Sequence, residues 1–260
     1  MPFFPPIGLR SCLAASVLFL AVAAAPAASL LFSHEGATNP TTEGWTTSGA
    51  TLKSAVINDL GTGIDAWSVY DPGGGVSRSG TYTRTMTTTQ VADALLTGWT
   101  LDATIRYVPP DPLIATSATN NAWCTVMMDE GITGRRTLYG LYFGNNAAGD
   151  TLVRLYGATN SFTVAAGYHD YQFVWDPVTE NASLYIDGEL KLTGYEGGGI
   201  DYTSASRVYW GDNTTTALTE GRGANYAYVG LTTGTAAVPE PNRMCFMLLA
   251  VGTWLWRRRR

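Results

Sequence analysis

Cysteine, histidine, lysine and helical periodicity are all in short supply in this sequence, and each shortage removes a class of function. There are 3 cysteines in 260 residues, and Cys12 and Cys245 fall in apolar stretches at the two ends. Cys124 is left alone in the body, so no intrachain disulfide can form there and the fold must rest on its core. In AWCTVMM it reads as a small buried hydrophobe, since a nucleophilic thiol needs an activating base. The only histidines are His34 and His169. Tyr168-His169-Asp170 opens a β-run without a nucleophile elbow beside it, which argues against a Ser-His-Asp site. Two histidines and one body cysteine do not approach zinc-ligand spacing either. Lysine occurs twice, and residues 30–237 carry ten Lys and Arg against twenty Asp and Glu, about −10, where the whole chain carries −5. Nucleic acid, which needs a basic patch, is therefore not an expected partner.

Long apolar runs are confined to the ends. Arg10 precedes CLAASVLFLAVAAA (residues 12–25), followed by Pro26 and the small residues Ala27, Ala28 and Ser29. A charged start, an apolar run and a small-residue cleavage zone make residues 1–29 a secretory signal peptide. The alternative is an uncleaved anchor, although the run is short for a span of roughly 20 apolar residues. Residues 233–260 hold the other run. Val238, Pro239, Glu240 and Pro241 are followed by apolar residues 244–256, a transmembrane helix, and by Arg257, Arg258, Arg259 and Arg260. The arginines act as a positive-inside stop, and the short run requires snorkelling or local thinning of the bilayer.

Between the ends, residues 30–232 are long enough for one domain with a sizeable core. Short runs rich in Thr, Val, Tyr, Trp and Phe alternate with period two and are broken by Gly, Asn, Asp and Pro. Residues 90–96 (QVADALL) form a weak turn or short helix. In YHDYQFVWDPVTENASLYIDGELKLTGY (residues 168–195), Tyr171, Phe173 and Trp175 alternate with Gln172 and Val174. Asp176-Pro177 then opens a turn, and Asp187-Gly188 is a hairpin signal. Three successive antiparallel strands are expected. Further runs at 100–108, 123–129, 138–143, 151–157, 207–211 and 224–231, with no helices between them, predict an all-β, two-sheet antiparallel sandwich. Its last strand should pair near the first, at residues 30–36.

The stretches NPTTEGW, DAWSVYDPGG, GWTLDATIRY, the meander above and RVYWGD, in this order, resemble the concanavalin A-like lectin/glucanase (laminin G-like) jelly-roll domains of exported bacterial proteins. The tail, with V-P-E-P, an apolar run and an arginine cluster, resembles the PEP-CTERM sorting signal of Gram-negative bacteria. That resemblance implies exosortase, a membrane transpeptidase, as a partner, and an inner-membrane-tethered precursor that passes to the cell surface or extracellular matrix. A plain, unprocessed anchor is the alternative.

Some jelly rolls of this kind are glycoside hydrolases, and laminarinase-like members carry paired carboxylates as Glu-x-Asp-x-x-Glu on one strand. That pattern is absent, and Asp129 and Glu130, being adjacent, would point to opposite faces. No catalytic residue is therefore assigned. Aromatic rings stack on sugars, and Trp67, Tyr70, Trp123, Tyr139, Tyr142 and Trp210 are the candidate platforms for an exopolysaccharide or other glycan, although each is also a natural core residue. Asp71, Arg106, Asp129 and Arg136 would be polar partners. No cofactor is required, but Asp71, or Asp212 with Asn213, offers oxygens suited to Ca2+. A passive structural role in a matrix fits the composition as well as carbohydrate binding does.

Overall fold

Period-two patterning becomes sixteen strands and one α-helix among the described residues, which in the computed structural model are 28–116, 122–128, 135–201, 205–214 and 217–234. The proposed signal peptide up to residue 27, Asp129, Val238, Pro239, Glu240, Pro241, the apolar run at 244–256 and the terminal arginines lie outside them. No described helix is long and apolar enough to cross a membrane. In chain order the elements are β1 (Ser29–Glu35), β2 (Thr46–Gly49), β3 (Leu52–Val56), β4 (Ala66–Ser77), β5 (Gly80–Thr85), α1 (Thr88–Thr97), β6 (Trp99–Val108), β7 (Ala122–Met128) and β8 (Arg135–Asn145). They continue with β9 (Thr151–Leu155), β10 (Ser161–Val164), β11 (Tyr168–Asp176), β12 (Asn181–Ile186), β13 (Glu189–Tyr195), β14 (Gly198–Asp201), β15 (Arg207–Asp212) and β16 (Ala217–Thr233).

The strands form two antiparallel sheets. Sheet A runs β13-β12-β11-β6-β16-β4-β3, with β1 also paired to β16. Sheet B runs β10-β9-β8-β7-β15-β5-β2, with β14 also paired to β8. The first and last strands do meet, Ser29 opposite Thr233 and His34 opposite Val229. The expected meander is β11-β12-β13. Asp176 makes its first turn, accepting from the Val178 amide at 2.9 Å. Asp187 and Gly188, both at positive φ (53° and 74°), make the second as a two-residue hairpin.

The helix is longer than QVADALL alone implies, because its start is set by a capping box that joins Gln90 to Thr87, three residues before that stretch. Thr87 Oγ1 accepts from the Gln90 amide, while Gln90 Oε1 accepts from the Thr87 amide. Two N-terminal donors are thereby satisfied and the helix begins at Thr88.

Alternation places one face of each sheet in a shared core. From sheet A come Trp99, Leu101, Ile105, Tyr171, Phe173 and Tyr226; from sheet B come Cys124, Tyr139, Phe143 and Trp210. Aromatic contacts knit them together: Trp99 lies 5.1 Å from Tyr139, edge to face, and Trp210 lies 4.7 Å from Tyr226. Cys124 is fully buried, and burial pushes its thiol pKa far up, so it is a packing residue with no thiolate to offer.

Candidate functional site

On β7 the inward residues are Ala122, Cys124, Val126 and Met128, which turns Trp123, Thr125 and Met127 to the opposite side of sheet B. There Trp123 and Met127 meet Leu138, Tyr142 and Tyr209 in a second apolar cluster, separate from the core, with Tyr156 and Ile200 packed against it. Trp123 lies 4.4 Å from Tyr209, edge to face, and 5.7 Å from Tyr142 in a stacked pair. The rings shield one another, leaving Trp123 and Tyr142 only 6% exposed and Tyr209 8%. The buried Trp123 Nε1 has no hydrogen-bond partner. Burial raises the Tyr142 hydroxyl well above its ordinary pKa, so it remains protonated and able to donate.

Beside this cluster runs a row of hydroxyls. Thr46 and Ser48 on β2 and Thr81, Thr83 and Thr85 on β5 face the same way. Ser48 Oγ and Thr81 Oγ1 are 2.9 Å apart, and Thr46 Oγ1 donates to the Thr83 carbonyl at 3.0 Å. Together with Trp123, Met127, Tyr209, Arg207 and Asn213 they line a groove of about 540 Å³. An apolar floor beside hydroxyls that both donate and accept can hold a ligand with matching apolar and hydroxyl faces.

Sheet A's outer side is built differently. Asp59, in the turn before β4, receives Arg106 through two bonds of 2.7 and 2.9 Å, together with Tyr168 at 2.8 Å and Asn225 Nδ2 at 2.7 Å. Burial alone would raise the Asp59 carboxyl, but the hydrogen bonds from Arg106, Asn225 and Tyr168 outweigh it and hold the pKa below the usual carboxylate range. Further along this face, Asp102, Thr104, Asp170, Gln172, Tyr185 and Tyr228 line a hollow of about 380 Å³. Thr104 donates to Asp170 at 2.6 Å and Gln172 to Asp102 at 2.7 Å. Burial, opposed by Gln172 and reinforced by the neighbouring Asp170 charge, raises the Asp102 pKa. Two neighbouring strands thus place two carboxylates on one face, an arrangement that a search along single strands does not reveal.

The ten candidate ligand-binding residues are distributed by the fold over both sheets and the core. Trp67, Tyr139 and Trp210 belong between the sheets: Trp67 Nε1 donates to Tyr82, Tyr139 accepts from Trp175 Nε1, and Trp210 is fully buried. Asp71 is fully buried as well. Arg106 is committed to Asp59, and Tyr70 stands on the outer side of β4 in sheet A. Trp123, Tyr142 and Arg136 stand on the outer side of sheet B. Asp129 lies outside the described residues. The correction has a simple cause: neighbours in a strand face opposite ways, so Tyr209, not Trp210, and Trp123, not Cys124, reach the outer side. Tyr209, Tyr156, Arg207 and the threonine row were missed. Their signal was present in the Thr-x-Thr-x-Thr pattern of residues 81–85, which marks one side of β5 as polar.

The oxygens considered for Ca2+ do not converge. Asp71 and Asp212 are buried inside the sandwich, whereas Asn213 lines the groove. Arg222, directly across from Asp71 on β16, brings a positive charge to the same interior region. Among the described residues there is no group of three or more Asp, Glu, His or Cys side chains that could hold a metal ion. Burial, with the Asp71 charge adding to it against hydrogen bonds from Thr214 and the charge of Arg222, pushes Asp212 up to about 6. The histidines have structural partners: buried His34 bonds Glu43 at 2.7 Å and stacks on Trp210, and His169 links Asp187 to the Ala165 carbonyl.

No protein-family model matches the sequence, and no curated protein does. Solved structures do align with it. The binding domain of botulinum neurotoxin DC, in complex with rat synaptotagmin II, aligns at 12% identity and a TM-score of 0.46, covering 83% of this chain and 51% of that one. A Trypanosoma rangeli sialidase in complex with sialic acid aligns at 12% identity and 0.46, covering 81% and 31%. A Bacteroides ovatus GH16 protein from a mixed-linkage glucan locus, in complex with a G4G4G3G product, aligns at 11% identity and 0.42, covering 77% and 99%. This chain spans about half the length of the neurotoxin binding domain and 31% of the sialidase chain.

Proposed function

We propose that this is an exported surface or matrix protein whose sheet B groove binds carbohydrate. The observation that carries the reading is the second apolar cluster. Trp123, Met127, Leu138, Tyr142 and Tyr209 lie across the sheet from the core, beside a hydroxyl row. Sugar rings present an apolar face and a hydroxyl rim, the pair of chemistries that this groove offers. The concanavalin A-like resemblance of the ordered strands and turns supports the same reading. A glycan array probed with the full-length chain in detergent tests it. Binding that falls at least tenfold, or about 1.4 kcal/mol, in Trp123→Ala and Tyr209→Ala while the fold is retained is the expected result. Silence across a broad array returns the domain to a passive matrix role.

Export and sorting form the second half of the proposal. Signal-peptide cleavage places the body outside the inner membrane, with the arginine cluster holding the tail on the cytoplasmic side until an exosortase cuts near Val238, Pro239, Glu240 and Pro241. Moving an arginine to the bilayer centre costs about 2.5–3.5 kcal/mol even on the translocon scale, so four of them fix the orientation. Mass spectrometry of the mature C-terminus, from hosts with and without an exosortase, tests this half. Persistence of Arg257 to Arg260 in the exosortase host, or unchanged processing in Pro239→Ala with Glu240→Ala, favours a plain anchor instead.

A further inference from the structure

The hollow on the outer side of sheet A, away from the groove, combines aromatic rings with uncompensated charge. Tyr185 on β12 stands opposite Gln172 on β11, Gln172 opposite Asp102 on β6, and Asp102 opposite Gly230 on β16. In the adjoining row Asp170 stands opposite Thr104, and Thr104 opposite Tyr228. The two tyrosines thus hold diagonal corners, three strand spacings or roughly 14 Å apart across the sheet, with Asp102 and Asp170 between them. Gly230 shapes one corner. A side chain there would collide with the Tyr228 hydroxyl, so bare backbone is what lets the Tyr228 ring lean towards the Asp102 row. Burial, with the charges of Asp102 and Glu35 adding to it, raises the Tyr228 pKa, so this hydroxyl keeps its proton.

The two carboxylates have neutral side-chain partners: Asp102 accepts from the Gln172 amide and Asp170 from the Thr104 hydroxyl. Among the described residues no lysine or arginine pairs with either. Arg106, the next outward residue of β6, is committed to Asp59, and Lys191 to Glu189. Diagonal neighbours on adjacent strands lie roughly 7–8 Å apart, so one small ligand can meet both acids. From this combination of rings and unmatched negative charge we propose that the hollow is a second binding site, separate from the groove, for a sugar that carries a free ammonium group, an unacetylated amino sugar. Its volume of about 380 Å³ lies near the lower end of small-ligand sites, about 300–1,000 Å³, which suits one or two sugar rings. A neutral hydroxyl can donate to Asp102 or Asp170 but leaves both charges standing, whereas an ammonium brings three donors and the missing positive charge. Tyrosine faces attract cations and stack on the apolar side of a sugar ring. A linear polyamine would meet the carboxylates but give the rings no flat partner. The chain's net charge of −5 favours the approach of a cation.

The test titrates a glucosamine tetramer, its N-acetylated counterpart and spermidine separately onto the full-length chain in detergent, at about pH 6, above the ordinary carboxylate range. Expected are at least tenfold tighter binding of the amine tetramer than of the acetylated one, loss of that preference in Asp102→Asn and in Asp170→Asn, and no change to it in Trp123→Ala. Asp170 is exposed, so Asp170→Asn supplies a variant that folds if Asp102→Asn does not. Equal binding of the two tetramers, a preference unmoved by Asp170→Asn, or spermidine binding as tightly as the amine tetramer overturns the proposal. So does silence of the amine tetramer, or a preference that vanishes in Trp123→Ala, which would put the ammonium in the groove. Neutral glycan binding by the groove uses none of these sheet A residues, and the array tests it on its own.

Discussion

The two outer sides of the sandwich follow the same alternation and arrive at opposite chemistry. Sheet A pairs its carboxylates: Asp59 takes Arg106, Tyr168 and Asn225, Asp102 takes Gln172, and Asp170 takes Thr104. Sheet B sets its aromatic cluster beside a groove lined by a row of hydroxyls. A polar surface whose carboxylates are bonded within the protein contributes to stability. One that sets hydroxyls beside apolar rings keeps part of its polar surface turned to solvent instead.

The largest expected effect comes from breaking the pairing on sheet A. Asp59→Ala leaves the largely buried Arg106 guanidinium without its counter-charge and should cost about 3 kcal/mol in urea unfolding. A loss below about 0.5 kcal/mol would mean that the Asp59 cluster is ornamental. The same substitution should leave glycan binding at sheet B unchanged.

Next in size is a titration belonging to neither side. Asp212, buried between the sheets, has a folded pKa of about 6 against an ordinary 3.8. Between those values the folded chain holds a proton that the unfolded chain has released, so stability falls as pH rises from about 4 to 6 and stays low above. The contribution is on the order of 2 kcal/mol. Buried His34, whose pKa is lowered by desolvation against the opposing pull of Glu43, acts the other way: its stabilising contribution, present above pH 6.5, is lost as pH falls. The comparison must therefore be between wild type and Asp212→Asn. The variant should be the more stable at pH 7, and the gap should close towards pH 4. A gap that widens on acidification would show the sign to be wrong.

The smallest effect is an expected zero. Asp102 and Asp170 share a face, but the chain is read as a binder, so incubation with β-glucans should release no reducing sugar from wild type or Asp102→Asn. Release by wild type that vanishes in Asp102→Asn would transfer function to sheet A and invert the comparison.

The strand order and its turns were legible because their causes are local. Asp176-Pro177 and Asp187-Gly188 each determine a turn within a few residues, and Tyr171, Phe173 and Trp175 show their period without reference to anything distant. The helix was under-read because its start depends on the pairing of Gln90 with Thr87, a polar residue before the QVADALL stretch. The site was much less legible. Both Tyr209 and Trp210 are aromatic, and only pairing with Cys124 and Tyr82 in neighbouring strands decides which one turns inward. Asp59 was overlooked because Asn225, one of its partners, lies 166 residues away. Local pattern shows that a strand has two sides, while long-range pairing decides which side meets solvent.

One consequence of β16 is mechanical. This strand is bonded to β6 along most of its length, and on its other side to β4 and then β1. The chain leaves the domain from its Thr233 end, so tension on anything attached beyond that point pulls β16 lengthwise. Its hydrogen bonds lie across the strand and resist such a pull together, in shear, instead of parting one after another as they would if the strand were peeled from an edge. Set in the interior of its sheet, β16 is placed to spread a load applied at Thr233 over both of its neighbours.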